Sequence, residues 1–171
     1  MESPNQGKKK TAVNGGMPKV TREQVEKLLL RKDLKDFKFP LGFDKIVWEN
    51  IEFLAWKHPS GHKGYVLEAE NGEPRIWVLE CNTKPTNTKL SMCRLCNSIR
   101  SGSGSRMFSY RPEKNRNKTV SFHLCSDLGC VDNVTKLNPN SMRETISPEE
   151  KRERMVENLH EVVSIFDEAN S

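Results

Sequence analysis

Cys93, Cys96, Cys125 and Cys130 constrain this chain more than any other residues in it. Two residues separate the first pair, twenty-eight separate Cys96 from Cys125, and four separate the second pair. Zinc takes four thiolate or imidazole ligands in a tetrahedron at about 2.0 to 2.3 Å, and closely spaced ligand pairs brought together by a hairpin satisfy that geometry. Four sulfurs leave no position open for water, which makes the expected site structural rather than catalytic. The order of elements points the same way. A knuckle carries the first pair, RMFSYR and TVSFHL form a hairpin, and SDLGCVDNV is a short helix whose first turns hold Cys125 and Cys130. This is the order of a treble-clef zinc finger, with one structural Zn2+. Ser126 and Asp127 fall near the helix start, where side-chain oxygens accept from free backbone N–H groups.

Other uses of these residues fit less well. A redox Cys-x-x-Cys opens a helix in a βαβ context, whereas this pair precedes strands. His123, two residues before Cys125, is the rival third ligand. Strand alternation puts Val120, Phe122 and Leu124 on one face and Thr119, Ser121 and His123 on the solvent side. A nuclease using His123 as base lacks both a catalytic carboxylate and an open metal position, so no enzyme is expected. Cys81, the fifth cysteine, reads as a core thiol.

The metal is needed because apolar residues are scarce. Only 35% of the 171 residues are hydrophobic, and mean hydropathy is −0.73. The segment 93–130 is too small to hold itself together by burial, while structural zinc contributes on the order of 10 kcal/mol to folding in such modules. No run approaches the roughly 18 apolar residues of a membrane span, and the opening MESPNQGKKKTAVNGG has no apolar stretch after its lysines. A cytoplasmic monomer with no membrane partner is expected, its cysteines kept as thiols or ligands.

The remaining elements give an α+β fold. Residues 1–17 are polar and read as a disordered tail. Residues 18–38 hold an N-terminal amphipathic helix: Thr21 and Gln24 have capping-box spacing, and Val25, Leu28 and Leu29 share a face. Residues 39–171 form an antiparallel β meander and the zinc finger, closed by a long C-terminal helix. IEFLAWKH, GYVLEAE and PRIWVLEC are the meander strands, separated by the turns PSGHKG and NGEP. Trp48, Trp56 and Trp77 are read as packing residues, and TKPTNTKLS as a linker into the finger. Ser147 at the cap, Pro148 at the first helical position and Glu150 at the third start the last helix; Met155, Leu159, Val162, Val163 and Phe166 follow at helical spacing.

Charge is concentrated on the finger. Between Asn97 and Lys118 stand Arg100, Arg106, Arg111, Lys114, Arg116 and Lys118 against Glu113 alone, so this stretch carries the whole formal net charge of +5. With Arg94 these cations form a steering surface for an acidic partner, and Phe108 and Tyr110 are candidate anchors, because arginine and aromatic side chains concentrate interface energy. The same cations would also suit phosphate, which makes the ribosome or ribosomal RNA the alternative partner.

WENIEFLAWKHP, SMCRLCNS, SFHLCSDLGC, MRETISPEEK and RMVENLHEVV, in this order, resemble the treble-clef zinc-finger domain of the FusB-type elongation factor G-binding proteins, the FBP family, from about Pro40 to Glu168. The resemblance implies a protein that binds elongation factor G and helps release it from the ribosome, in some members with resistance to fusidic acid. It maps the metal ligands onto Cys93, Cys96, Cys125 and Cys130; some members have histidine in the third place. Resistance members carry an N-terminal helical bundle and an aromatic residue after the first metal cysteine. This chain has one helix before its strands, and Arg94 after Cys93.

Overall fold

The computed structural model describes residues 16–82, 90–136 and 146–171. Residues 1–15 of the expected tail, most of the TKPTNTKLS linker and residues 137–145 lie outside the described residues. Among those described, five strands form one antiparallel sheet: β1 (Leu54–Lys57), β2 (Lys63–Glu70), β3 (Glu73–Cys81), β6 (Ser105–Tyr110) and β7 (Val120–Cys125), in that order across the sheet. The expected meander and the expected finger hairpin are therefore halves of a single sheet. They join at a short seam, where Glu80 faces Ser109 and Cys81 faces Phe108. Between them run β4 (Ser91–Met92) and β5 (Ile99–Arg100), paired with each other around the first two metal cysteines.

Aromatic side chains build a layer on each face of the sheet. Successive strand residues point to opposite faces, so Trp56 and Tyr65, opposite one another in β1 and β2, share one face. There Phe37 lies edge-on to both, with ring centroids 6.1 and 5.0 Å away, and the cluster continues through Phe39 and Phe43 to Trp48. On the other face Trp77, Tyr110 and Phe122 surround Phe166 of the last helix at 5.3, 4.6 and 6.1 Å. All three tryptophans are buried, as the packing reading requires.

The segment read as one N-terminal helix is two. Helix α1 (Arg22–Leu28) has the expected capping box, with Thr21 Oγ1 accepting from the Gln24 amide at 3.2 Å. Leu29 is then extended, and α2 (Arg31–Leu34) starts afresh. The break keeps the Val25 and Leu29 stripe buried and leads the chain toward Phe37 and Phe39 on the sheet; Leu28, expected on the same stripe, is 39% exposed. The tail ends earlier than expected. Met17 is buried and its amide donates to the Ile51 carbonyl at 2.9 Å.

Helix α3 (Cys130–Asn133) is short, whereas α4 (Pro148–Asn170) is the longest element. The Ser147 cap is present, its hydroxyl accepting from the Glu150 amide at 3.2 Å. All five expected residues of α4 are buried, and Ala169 with them. Burying side chains of this size contributes roughly 1.5 to 3 kcal/mol each, so docking α4 is a large share of the fold's stability. Polar contacts fix its seat. Arg152 reaches Glu52 at 3.1 Å, Arg94 reaches Glu161 at 2.6 Å, and Asp167 meets Arg75 at 3.1 Å.

A four-cysteine metal centre

The first pair of ligands comes from a tight turn between β4 and β5. Asn97 adopts a left-handed φ of 58°, which closes the loop so that the Cys93 amide donates to the Ser98 carbonyl at 2.9 Å and the Asn97 amide to the Cys93 carbonyl at 3.0 Å. Asparagine tolerates this conformation better than most residues. The second pair brackets the end of the hairpin: Cys125 is the last residue of β7, and Cys130 opens α3. Asp127 accepts from the Gly129 amide at 2.9 Å and from Asn133 Nδ2 at 3.1 Å, so it tethers the turn to α3. Ser126 contributes its backbone instead, donating to the Gly104 carbonyl at 3.0 Å.

These elements converge four buried sulfurs within 4.8 Å of one another. Cys93 and Cys130 Sγ are 3.6 Å apart, and Cys96 and Cys125 Sγ 3.4 Å. A zinc ion with bonds of about 2.3 Å holds its sulfurs about 3.8 Å apart, whereas a disulfide would need about 2.05 Å. The site therefore fits one tetrahedral zinc, and the thiols are free. Donors for the negative sulfurs are in place: the Cys125 amide lies 3.3 Å from Cys93 Sγ, and the Ser98 hydroxyl 3.2 Å from Cys96 Sγ. Outer hydrogen bonds of this kind orient ligands and hold them ionised.

The thiols are electrostatically unequal. Hydrogen bonds, first from Cys125 and then from Cys130, hold Cys93 and Cys96 below the ordinary thiol range, while the contact with Cys125 pushes Cys130 up. Four thiolates in this buried space need a divalent cation among them, because unpaired buried charge is costly.

His123 stands outside the sulfur cluster. Its ring was expected toward solvent, but it is half-buried, with Nδ1 lacking a hydrogen-bond partner among the described residues, and its carbonyl accepts from the Arg94 amide at 2.8 Å. Cys81 is buried on β3, and burial pushes its thiol up.

The expected partner residues do not form one surface. Phe108 is 1% exposed, and Tyr110 is half-buried, edge-on to Trp77 and tilted against Phe166, so both rings are engaged in the core where β6 meets β3 and α4. Arg94 is occupied with Glu161 and with Asn158 at 3.4 Å. Arg100 and Arg106 are half-buried on β5 and β6, whereas Arg111, Lys114, Arg116 and Lys118 are exposed on the hairpin and its loop. Two apolar residues beside the knuckle that the sequence reading passed over, Leu90 and Met92, are 57% and 56% exposed. Their signal was a pair of large apolar residues flanking the ligand turn with no helical or strand stripe to absorb them.

One glycine also belongs to this centre. A Cβ on Gly64 would lie 2.5 Å from Leu128 Cδ1 and 2.9 Å from Phe108 Cε1. Leu128 sits in the ligand loop between Cys125 and Cys130, with a φ of 52°, so the absent side chain of Gly64 is what lets β2 receive the finger.

Among curated proteins, none matches the sequence. Six chains of solved structures match the fold. One is the fusidic acid resistance protein FusC, 15% identical, with a TM-score of 0.56 over 87% of this chain and 59% of that one. This chain thus spans well under two thirds of that protein, and the likeness shows the fold. The family model for the FBP C-terminal treble-clef zinc-finger matches residues 29–166. With the sulfur tetrad in place and the match covering most of the chain, the protein belongs to the FBP C-terminal treble-clef zinc-finger family.

Proposed function

We propose that the protein is a non-enzymatic cytoplasmic adaptor that binds elongation factor G through its zinc finger and promotes release of the factor from the ribosome, with fusidic acid tolerance as one output. The observation that carries this reading is the family match across residues 29–166, which takes in the whole finger and its supporting sheet. The fold likeness to a fusidic acid resistance protein agrees with it. No helix of the described residues is long and apolar enough to cross a membrane.

The geometry suggests how such a surface would work. The metal fixes the knuckle and the near end of the hairpin, where Leu90 and Met92 are apolar contacts, while Arg111, Lys114, Arg116 and Lys118 stand at the far end of the hairpin as steering charges. Apolar anchors govern how long a complex lasts, while charges at the rim govern how fast it forms.

The test is a direct titration of the zinc-loaded protein with purified bacterial elongation factor G, repeated with ribosomal RNA and at rising salt. Saturable binding to the factor is expected, weakened roughly tenfold by Met92→Asp and falling gently with salt. Absence of that binding, together with RNA affinity that drops steeply with salt in proportion to the phosphates neutralised, would replace the adaptor with an RNA-binding finger.

A further inference from the structure

The seam that joins the two halves of the sheet is incomplete. β6 faces β3 only at Glu80 and Cys81, and after Tyr110 it turns away at the buried Pro112. From Leu79 back to Glu73, β3 has β2 on one side and, among the described residues, no strand on the other. The direction of its backbone groups follows from two bonds. The Cys81 amide donates to His62 on the β2 side at 2.7 Å, and the Asn82 amide donates to Met107 on the β6 side at 3.2 Å. N–H and C=O directions alternate along an antiparallel strand. Ile76 and Val78, on the same alternation as Asn82, therefore aim their backbone groups at the open edge. Pro74 shares that alternation and has no N–H to present, the usual placing of proline in an edge strand.

This edge is the floor of a cleft of about 570 Å3. Leu28 and Leu30, 39% and 38% exposed, form one wall from the break between α1 and α2, and Asn170 at the end of α4 contributes to the lining. The Asn170 side-chain oxygen is buried with no hydrogen-bond partner among the described residues. Within the lining Lys63 is paired with Asp33 and Asp36 and Arg111 lies 3.9 Å from Glu80, which leaves Lys32 and Arg116 against Glu113; Lys114 and Lys118 follow on the same exposed loop, so the mouth carries a modest excess of positive charge.

We propose that the open edge of β3 is a peptide-binding slot that receives an extended, acidic segment of a partner protein as an added strand between β3 and the hairpin loop. Main-chain bonds to Ile76 and Val78 would supply affinity, and side chains on alternate positions would cover Leu28 and Leu30. The loop cations select acidic residues at the outward positions. The slot uses some of the same cations as the surface proposed above, but its existence does not depend on which partner the finger binds.

The probe is a fluorescein-labelled peptide of alternating valine and glutamate, about six to eight residues long to match a typical strand. Fluorescence anisotropy should show saturable binding, with no binding of the lysine-for-glutamate version. Arg116→Glu, at an exposed loop position, should weaken binding roughly tenfold. Amide exchange at Ile76 and Val78 in the intact protein should slow when peptide is added. A peptide N-methylated at alternate residues keeps its side chains but cannot complete the ladder, and it should not bind. Equal binding of the N-methylated peptide, or failure of the acidic peptide to bind, overturns the proposal. So does protection of the two amides that grows with protein concentration alone and tracks a dimer in sedimentation, because a second copy would then own the edge.

Discussion

Tyr65 shows how one atom can be out of place in a well-packed core. Its ring is buried against Phe37 and Trp56, but its hydroxyl has no hydrogen-bond partner among the described residues. Burial, followed by the charges of Asp36 and Asp33, pushes its ionisation up to about 12. An unsatisfied buried hydroxyl costs about 1 to 3 kcal/mol, so Tyr65→Phe should leave the protein unchanged or stabilise it by about 1 kcal/mol. The sign of the pH effect follows from proton counts. Between pH 10 and about 12 the unfolded chain gives up the phenolic proton and the folded chain keeps it. The folded state then binds more protons, and stability falls as pH rises through that window. Urea midpoints measured across it should fall less in Tyr65→Phe than in the parent. Tyr110, whose ionisation is also raised, chiefly by burial, accounts for a slope that persists. Equal slopes in the two proteins would mean that the Tyr65 phenol is not the group held neutral.

Among the elements, α4 connects parts of the chain that have few other contacts. Arg94, expected at a partner surface, points this way: it pairs with Glu161, and Asn158 donates to the Leu95 carbonyl at 2.9 Å. Both bonds tie the metal knuckle to α4. Arg94→Ala should therefore lower stability by about 0.5 to 1 kcal/mol, the usual range for a half-exposed ion pair, and leave the affinity for any finger-bound partner within about twofold. Denaturation and titration of the same variant check the two halves of that statement. A clear loss of binding at unchanged stability would return Arg94 to the interface. The case also marks what sequence could supply. The cysteine spacing and the Ser147 to Glu150 cap are local patterns, and the structure follows them closely, whereas strand alternation misplaces His123. The fate of Arg94, Phe108 and Tyr110 depends on where α4 lands across the sheet. No spacing along β6 encodes that contact, because Phe166 lies more than fifty residues away. The break at Leu29 is hidden for a related reason: local propensity favours a continued helix, and docking of Phe37 on Tyr65 decides against it.

At the scale of the whole molecule, the finger and the meander share one sheet and should unfold as one cooperative body rather than as two modules in sequence. The strand seam between them is only two residue pairs long, too little to couple them by hydrogen bonds alone. The coupling comes from side chains at Gly64, where Phe108 from β6 and Leu128 from the ligand loop press against bare β2 backbone, and from α4 across the opposite ends of the fold. Leu128 is held there by the two cysteines on either side of it. Removing the ion should release that loop, withdraw Leu128 from Gly64, and expose Phe108 beside it to water. Metal removal should thus unfold the meander together with the finger. With a strong chelator, the near-ultraviolet dichroism of the tryptophans, all of which lie outside segment 93–130, should collapse in the same transition as the loss of far-ultraviolet signal, and added zinc should restore both. Tryptophan signals that stay native while the hairpin amides lose protection would separate the two halves and reduce the metal to a local clasp.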